Sequence, residues 1–177
     1  MIIMINGAFG IGKTSVANCL VKDIKNSMIY DPEEVGLLLR NIIPGEVMHD
    51  EEKTDFQDFI LWKKIVVMIA SEIKKQYNSH LIISMTIMEI EYFKYIFNGM
   101  EKIDNDIYHF CLTAPLDKIH SRLNQRGEIS DSWAFLQTEK CLKAYGNYDF
   151  GEYIDTQNSS IEEVTQIIID KISCKFN

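Results

Sequence analysis

The chain is poor in the residues that would mark several classes of protein. Only three prolines, two tryptophans and four cysteines occur in 177 residues, and 18 basic side chains face 26 acidic ones. Cys19, Cys111, Cys141 and Cys174 are widely spaced, without the close pairs that structural zinc sites and redox motifs require, so they read as reduced thiols of a cytoplasmic protein. A net charge of −8 opposes binding to nucleic acid, which leans on a basic stripe that releases counterions. The longest apolar runs, around Leu81 to Met85 and Ile65 to Ala70, fall far short of the roughly 20 residues that span a bilayer; no stable membrane insertion is expected. Met1-Ile2-Ile3-Met4-Ile5 leads directly into a glycine-rich loop, with no positively charged n-region before it, and a secretory signal is not expected. There is no repeat, low-complexity tract or Pro/Gly/Ser-rich linker.

What is present is the composition of a globular protein, 46% hydrophobic and 25% charged, which suits one domain over 1–177. Short apolar runs alternate with longer segments of helical period, the signature of an α/β domain with a parallel sheet. Strands are expected near Ile2 to Asn6, Met28 to Tyr30, Leu81 to Met85, Ile107 to Thr113 and Tyr153 to Asp155. Helices are expected from Lys13, over Pro32 to Ile43, from Glu89 to about Glu101, from Pro115 to Arg126, from Trp133 to Tyr145 and from Ile161 onward. The longest helix is expected to carry Phe56, Phe59, Ile60, Val66, Val67, Ala70 and Ile73 as its buried stripe, entered through Thr54 or Asp55. The polar stretch 127–133, with Gly127 at its hinge, reads as a mobile lid.

The most specific feature is Gly7-Ala8-Phe9-Gly10-Ile11-Gly12-Lys13-Thr14, a Gly-x-x-x-x-Gly-Lys-Thr pattern between a strand and a helix. Gly7, Gly10 and Gly12 let backbone N–H groups converge on one point, where the helix start adds partial positive charge. The phosphates of ATP are the natural occupant, with Ser15 completing the loop's contacts. Lys13 then bridges the β- and γ-phosphates, and the Thr14 hydroxyl coordinates Mg²⁺.

Other residues admit two readings. Asp31 ends the second strand, where open parallel sheets place ligands, and could accept a proton from a substrate hydroxyl. It also starts Asp31-Pro32-Glu33-Glu34, a helix cap with proline at the first helical position. The next helix carries Val35, Leu38, Leu39, Ile42 and Ile43 as its expected buried stripe, and Gly36 beside Arg40 hints at a close approach to that face. An anionic substrate group would suit Arg40, and a solvated arginine is the alternative. Arg122 and Arg126, one turn apart, either complement a helix C-terminus or clamp a nucleotide. His49, His80, His109 and His120 lack ligand spacing. Trp62 and Trp133 read as packing residues, though either ring could meet a base.

Together these residues resemble the tunicamycin-resistance protein family, a branch of the P-loop kinase-like proteins related in fold to nucleoside-monophosphate and shikimate kinases. The resemblance runs through Ile5 to Gly10, Gly12-Lys13-Thr14, Tyr30-Asp31-Pro32-Glu33 and Leu39-Arg40. It continues through Asp55-Phe56-Gln57, Leu61-Trp62, Met85-Thr86-Ile87, Tyr92-Phe93, Ser132-Trp133 and Cys141. It implies a three-layer α/β/α fold with a five-stranded parallel sheet in the order 2-3-1-4-5. It also implies that Arg122 stacks on adenine, that Arg126 reaches phosphate when the lid closes, and that Thr156-Gln157-Asn158 lies beside the base. Asp31 and Arg40 would face the second substrate, and Asp55, Gln57 and Trp62 would lie on the segment covering it.

One departure stands out: Ile82-Ile83-Ser84-Met85-Thr86 lacks the aspartate that commonly ends this strand and holds Mg²⁺ through water. A second is length, since the chain ends soon after its last helix and no membrane-associated tail is expected. The resulting expectation is an ATP- and Mg²⁺-dependent phosphotransferase acting on a nucleoside-like antibiotic or similar hydroxylated metabolite, with Lys13, Asp31 and Arg126 as its catalytic set. The rival is an ATP-dependent protein that sequesters the drug unmodified. A motor or assembly ATPase fits the short chain poorly.

Overall fold

A computed structural model describes residues 1–130 and 132–174. Five strands, β1 (Ile2–Gly7), β2 (Ser27–Tyr30), β3 (His80–Ser84), β4 (Ile107–Thr113) and β5 (Glu152–Asp155), form one sheet in the order β2-β3-β1-β4-β5, as the resemblance implied. Every pairing is parallel, with Ile3 beside Ile82 on one side and Tyr108 on the other. β1 is buried along its whole length, which is why it reads as an unbroken apolar run.

The helices are α1 (Lys13–Asp23), α2 (Pro32–Ile42), α3 (Asp50–Thr54), α4 (Ile60–Tyr77), α5 (Ile90–Ile103), α6 (Leu116–Gln125), α7 (Trp133–Asn147) and α8 (Ile161–Ser173). α1 packs on α8 and α4 on α5. The α4–α5 contact is close because Gly99 leaves room for Val67; a Cβ there would lie 2.7 Å from Val67 Cγ2. α8 opens with a capping box between Ser160 and Glu163. Among the described residues no helix is long and apolar enough to cross a membrane.

Two sequence expectations need correction, and both concern the same corner. The long helix does not begin at Phe56. Asp55 caps a single 3-10 turn over Phe56–Asp58, Phe59 leaves helical geometry, and α4 starts at Ile60. Its buried face is therefore Trp62, Val66 and Ala70, whereas Ile60 is exposed. In α2 the buried residues are Pro32, Val35, Gly36 and Leu39, while Leu38 and Ile42 face solvent. The cause is Phe56, whose ring lies where a Cβ on Gly36 would stand. The close approach hinted at by Gly36 is thus an aromatic ring of this chain, and it turns the inner face of α2 toward itself.

Candidate functional site

The glycine loop follows β1 at the carboxyl edge of the sheet, the side on which open α/β sheets bind ligands. Gly7, Gly10 and Gly12 all have positive φ. At Gly10 this is reinforced sterically, because an added Cβ would lie 2.7 Å from Leu123 Cγ. Gly12 is the residue before α1, in the left-handed region and with no side-chain cap. The first N–H groups of α1 are consequently directed into the loop rather than toward a capping side chain, the arrangement that receives an anion.

Lys13 is buried, donates from Nζ to the Ala8 carbonyl at 3.0 Å, and lies 5.5 Å from the centre of the Phe9 ring. Burial lowers its pKa to about 8, with the positive charge of Arg126 acting in the same direction and Glu33 opposing it. A buried ammonium held by one carbonyl and a ring face is suited to an incoming polyanion, which would raise its pKa again. Thr14 stands exposed beside it and Ser15 is half-buried. No group of three or more His, Cys, Asp or Glu able to hold a metal occurs among the described residues. The donor set fits Mg²⁺ in the form it takes with nucleotides, where phosphates and water supply most ligands and the protein one or two.

Next to the loop is a cavity of about 320 Å³. Its apolar wall is Phe9, Phe56, Met88 and Trp133; its polar groups come from Glu33, Arg40, Asp55, Gln57, Thr54 and Thr86. Phe9 and Trp133 meet edge to face, ring centres 4.8 Å apart. Gln57 donates to the Thr86 carbonyl at 2.8 Å, and Asp55 accepts from the Gln57 backbone N–H at 2.9 Å. Arg40 donates to the Thr54 carbonyl at 3.2 Å with its guanidinium 5.9 Å from the centre of the Phe56 ring. Glu33 has a raised pKa, first through burial and then through the neighbouring charge of Asp31.

The loop and the cavity are joined by hydrogen bonds through Asn6, which is 1% exposed. Its Oδ1 accepts from Gly7 N–H at 2.8 Å, Ile87 N–H at 2.9 Å and the Tyr145 hydroxyl at 3.1 Å, and its Nδ2 donates to the Ile87 carbonyl. The Thr86 hydroxyl donates to the Gly7 carbonyl at 3.0 Å. In place of the missing aspartate, this segment thus supplies a hydroxyl that braces the glycine loop.

The other sequence-selected residues are placed as follows. Trp62 is 1% exposed, donates from Nε1 to the Pro32 carbonyl at 2.9 Å and packs edge-on against Phe56. It stands behind the cavity wall and supports it, so its assignment as a substrate contact is corrected. Trp133, read as packing, is 57% exposed and lines the cavity. Asp31 caps α2, accepting from Glu33 N–H at 2.9 Å. Arg122 donates to the Ile11 carbonyl and to both oxygens of Thr156, the backbone one at 2.6 Å. Its guanidinium ties the glycine loop to the turn after β5. Gln157 lies in that turn, with its N–H on Asp155. Arg126 is exposed at the end of α6, followed by Gly127 with φ +85. Of the 127–133 segment, Asp131 lies outside the described residues.

No protein-family model and no curated protein matches the sequence. Solved structures do. The tunicamycin resistance protein of Deinococcus radiodurans superimposes with a TM-score of 0.78 at 26% identity, covering 97% of this chain and 94% of that one. The chain resembles a tunicamycin resistance protein. A gluconokinase from Sinorhizobium meliloti (TM-score 0.65, 13% identity, 97% and 90% covered) shares the fold. So does a shikimate kinase from Acinetobacter baumannii in complex with shikimate (0.64, 14%, 98% and 93%). The fold is that of the P-loop kinases, and the likeness to the tunicamycin resistance protein extends over nearly the full length of both chains.

Proposed function

We propose that the chain is an ATP-dependent phosphotransferase that moves a phosphoryl group to a hydroxyl of a small molecule, with a nucleoside-like antibiotic of the tunicamycin kind as acceptor. The observation that carries this reading is the placement of Glu33, in a cavity whose wall, Phe9, is itself part of the glycine loop and lies against Lys13. Anion site and acceptor cavity share that wall, as direct transfer between two bound molecules requires.

In this reading the loop N–H groups and Lys13 hold the phosphates, and Thr14 would hold a Mg²⁺ ion, which would supply charge neutralisation for the transferred group. Glu33 accepts the acceptor's hydroxyl proton as the new O–P bond forms and the bond to the ADP oxygen breaks. A carboxylate of raised pKa is the stronger base for that step. Asp31 fixes Glu33 through the cap and adds its charge to the burial that raises the Glu33 pKa. Arg126 adds positive charge from the lid side, and the Arg122 face and Gln157 take the adenine. Arg40 and Gln57 contact the acceptor.

A second reading, sequestration of the drug without chemistry, is favoured by Thr86 standing where a metal-binding aspartate is common. Mass spectrometry of tunicamycin and small hydroxylated compounds after incubation with Mg-ATP separates the two. Transfer yields a product heavier by one phosphate, absent with Lys13→Ala; retention of unmodified drug only when ATP is present marks sequestration.

A further inference from the structure

A second cavity, of about 300 Å³, lies between α5 and the first residues of β4, toward the amino end of that strand. The glycine loop leaves the opposite, carboxyl end of the parallel β1. The wall is largely aromatic: Phe93 and Phe97 from α5, Tyr108 and His109 from β4, and Phe150 just before β5. The cavity exists because β5 starts late. It pairs with β4 only from Phe110 onward, so Ile107, Tyr108 and His109 have β1 on one side and no strand on the other. The corner that faces them is held by its own hydrogen bonds. Gly151 N–H donates to Asp149 Oδ1 at 2.8 Å, Phe150 N–H donates to the Tyr153 hydroxyl at 3.2 Å, and that hydroxyl is shared between the Tyr145 and Tyr148 carbonyls at 3.1 and 3.0 Å.

One lining side chain, His109, lacks a hydrogen-bond partner. It is 9% exposed, its ring centre is 4.5 Å from that of Phe93 and 6.4 Å from that of Phe97, and neither Nδ1 nor Nε2 is bonded. Burial lowers its pKa to about 4, and the Phe150 backbone acts in the opposite direction without completing a hydrogen bond. The imidazole is therefore neutral at pH 7, with one N–H donor and one lone pair both unmet. Native proteins rarely leave such a group unserved, and where they do a bound molecule is a standard reason. Gly151 shows where a partner atom fits: held at φ +94, it has no side chain, and a Cβ added there would stand 3.3 Å from Nδ1. The space that this glycine leaves adjoins the unpaired nitrogen.

Neutrality and shape set the ligand class. A carboxylate or ammonium would meet no free counter-charge among the lining residues, because Glu152 is paired with Lys171 and the imidazole carries no charge. A flat ring packs among aromatic side chains by offset and edge contacts, and a hydroxyl on it serves either a lone pair or an N–H. We propose that this cavity is a second small-molecule site and that its ligand is an uncharged aromatic alcohol of the phenol class, with the ring among Phe93, Phe97 and Phe150 and the hydroxyl on the His109 imidazole. The site shares no lining residue with the cavity beside the glycine loop, so it stands apart from the proposed phosphoryl transfer.

The test is calorimetric titration of the full chain with phenol and p-cresol, beside toluene (ring without hydroxyl), cyclohexanol (hydroxyl without aromatic ring) and benzoate (charged). The two phenols are expected to bind saturably at millimolar concentration or below, at least tenfold more tightly than the other three. Nitrogen-15 NMR of the histidine side chains, assigned through the backbone, locates the site: phenol should shift the imidazole nitrogens of His109 and leave those of His49, His80 and His120 in place. In His109→Phe the advantage of phenol over toluene should fall below twofold. Phenol binding that leaves the His109 nitrogens unmoved, toluene or benzoate binding as tightly as phenol, an undiminished phenol advantage in His109→Phe, or no saturable binding overturns the proposal. The last result would mean that the imidazole is served by water alone. The NMR measurement uses the parent chain, so it decides the matter whether or not His109→Phe folds.

Discussion

On the glycine-loop side the ligand-facing groups are backbone N–H groups and one lysine, all from a single stretch between β1 and α1. On the cavity side they are side chains from seven separate places: the loop itself, the first and last turns of α2, the end of α3, the 3-10 turn with its cap, the segment after β3, and the start of α7. The first region depends on φ angles that glycine permits, and eight contiguous residues specify it. The second depends on tertiary packing, above all on Phe56 filling the space left by Gly36 and on Trp62 bracing Phe56. An anion site can thus be inherited unchanged while the neighbouring cavity is reshaped by single side chains.

The separation can be broken hardest at Lys13. Replacing it with methionine should reduce phosphoryl transfer roughly 10²–10³-fold, the usual loss for one preorganised electrostatic group. The unliganded protein should melt no lower, because the substitution removes a charge whose burial already lowers its pKa to about 8. The same value gives a pH dependence: the free lysine loses its proton above about pH 8, so calorimetric affinity for ATP should weaken as pH rises through that point, whereas acceptor affinity should not.

His109 supplies a reference outside both regions. It is packed against Phe93 and Phe97, and burial pulls its pKa to about 4. Below its unfolded value near 6.5 the unfolded chain binds the proton and the folded chain does not. Stability should therefore fall by about 3 kcal/mol between pH 6.5 and pH 4. Urea melts across that range check this, and His109→Phe should flatten the curve. Loss of turnover through protonation of Glu33 must be measured at pH values where the folded fraction is unchanged.

Gly36→Ala should act on the cavity alone. The new methyl displaces Phe56, costing about 1–3 kcal/mol as overpacking does, and acceptor affinity should drop while ATP affinity holds. Tyr145→Phe should give the smallest effect. It removes one of three donors to Asn6 Oδ1, worth about 1 kcal/mol in thermal melts. Because Asn6 joins the loop to Ile87, a double-mutant cycle with Gln57→Ala measures whether the two regions are coupled.

Legibility in the sequence follows the same division. The strand positions were readable from apolar runs because the sheet buries both faces of β1, and the glycine loop from spacing because backbone conformation there is a local property. The inner face of α2 was misread, since Leu38 and Ile42 fit helical period as well as Leu39 does; only the position of Phe56 decides between them. The two tryptophans read alike in the sequence for the same reason, as nothing local shows that Trp62 reaches the Pro32 carbonyl while Trp133 lines the cavity. Glu33 was visible only as a helix-start residue. The signal that could have raised it is the Asp31-x-Glu33 pair at a strand end, two carboxylates where a cap needs one.

The central claim, that one region holds phosphate and the other performs the chemistry on the acceptor, is tested most directly with Glu33→Gln. Calorimetric ATP affinity and single-turnover transfer would be measured on the same preparation. Transfer reduced at least a hundredfold with ATP affinity within threefold of the parent is the predicted result. Undiminished transfer, or a loss that tracks ATP affinity, would contradict the account.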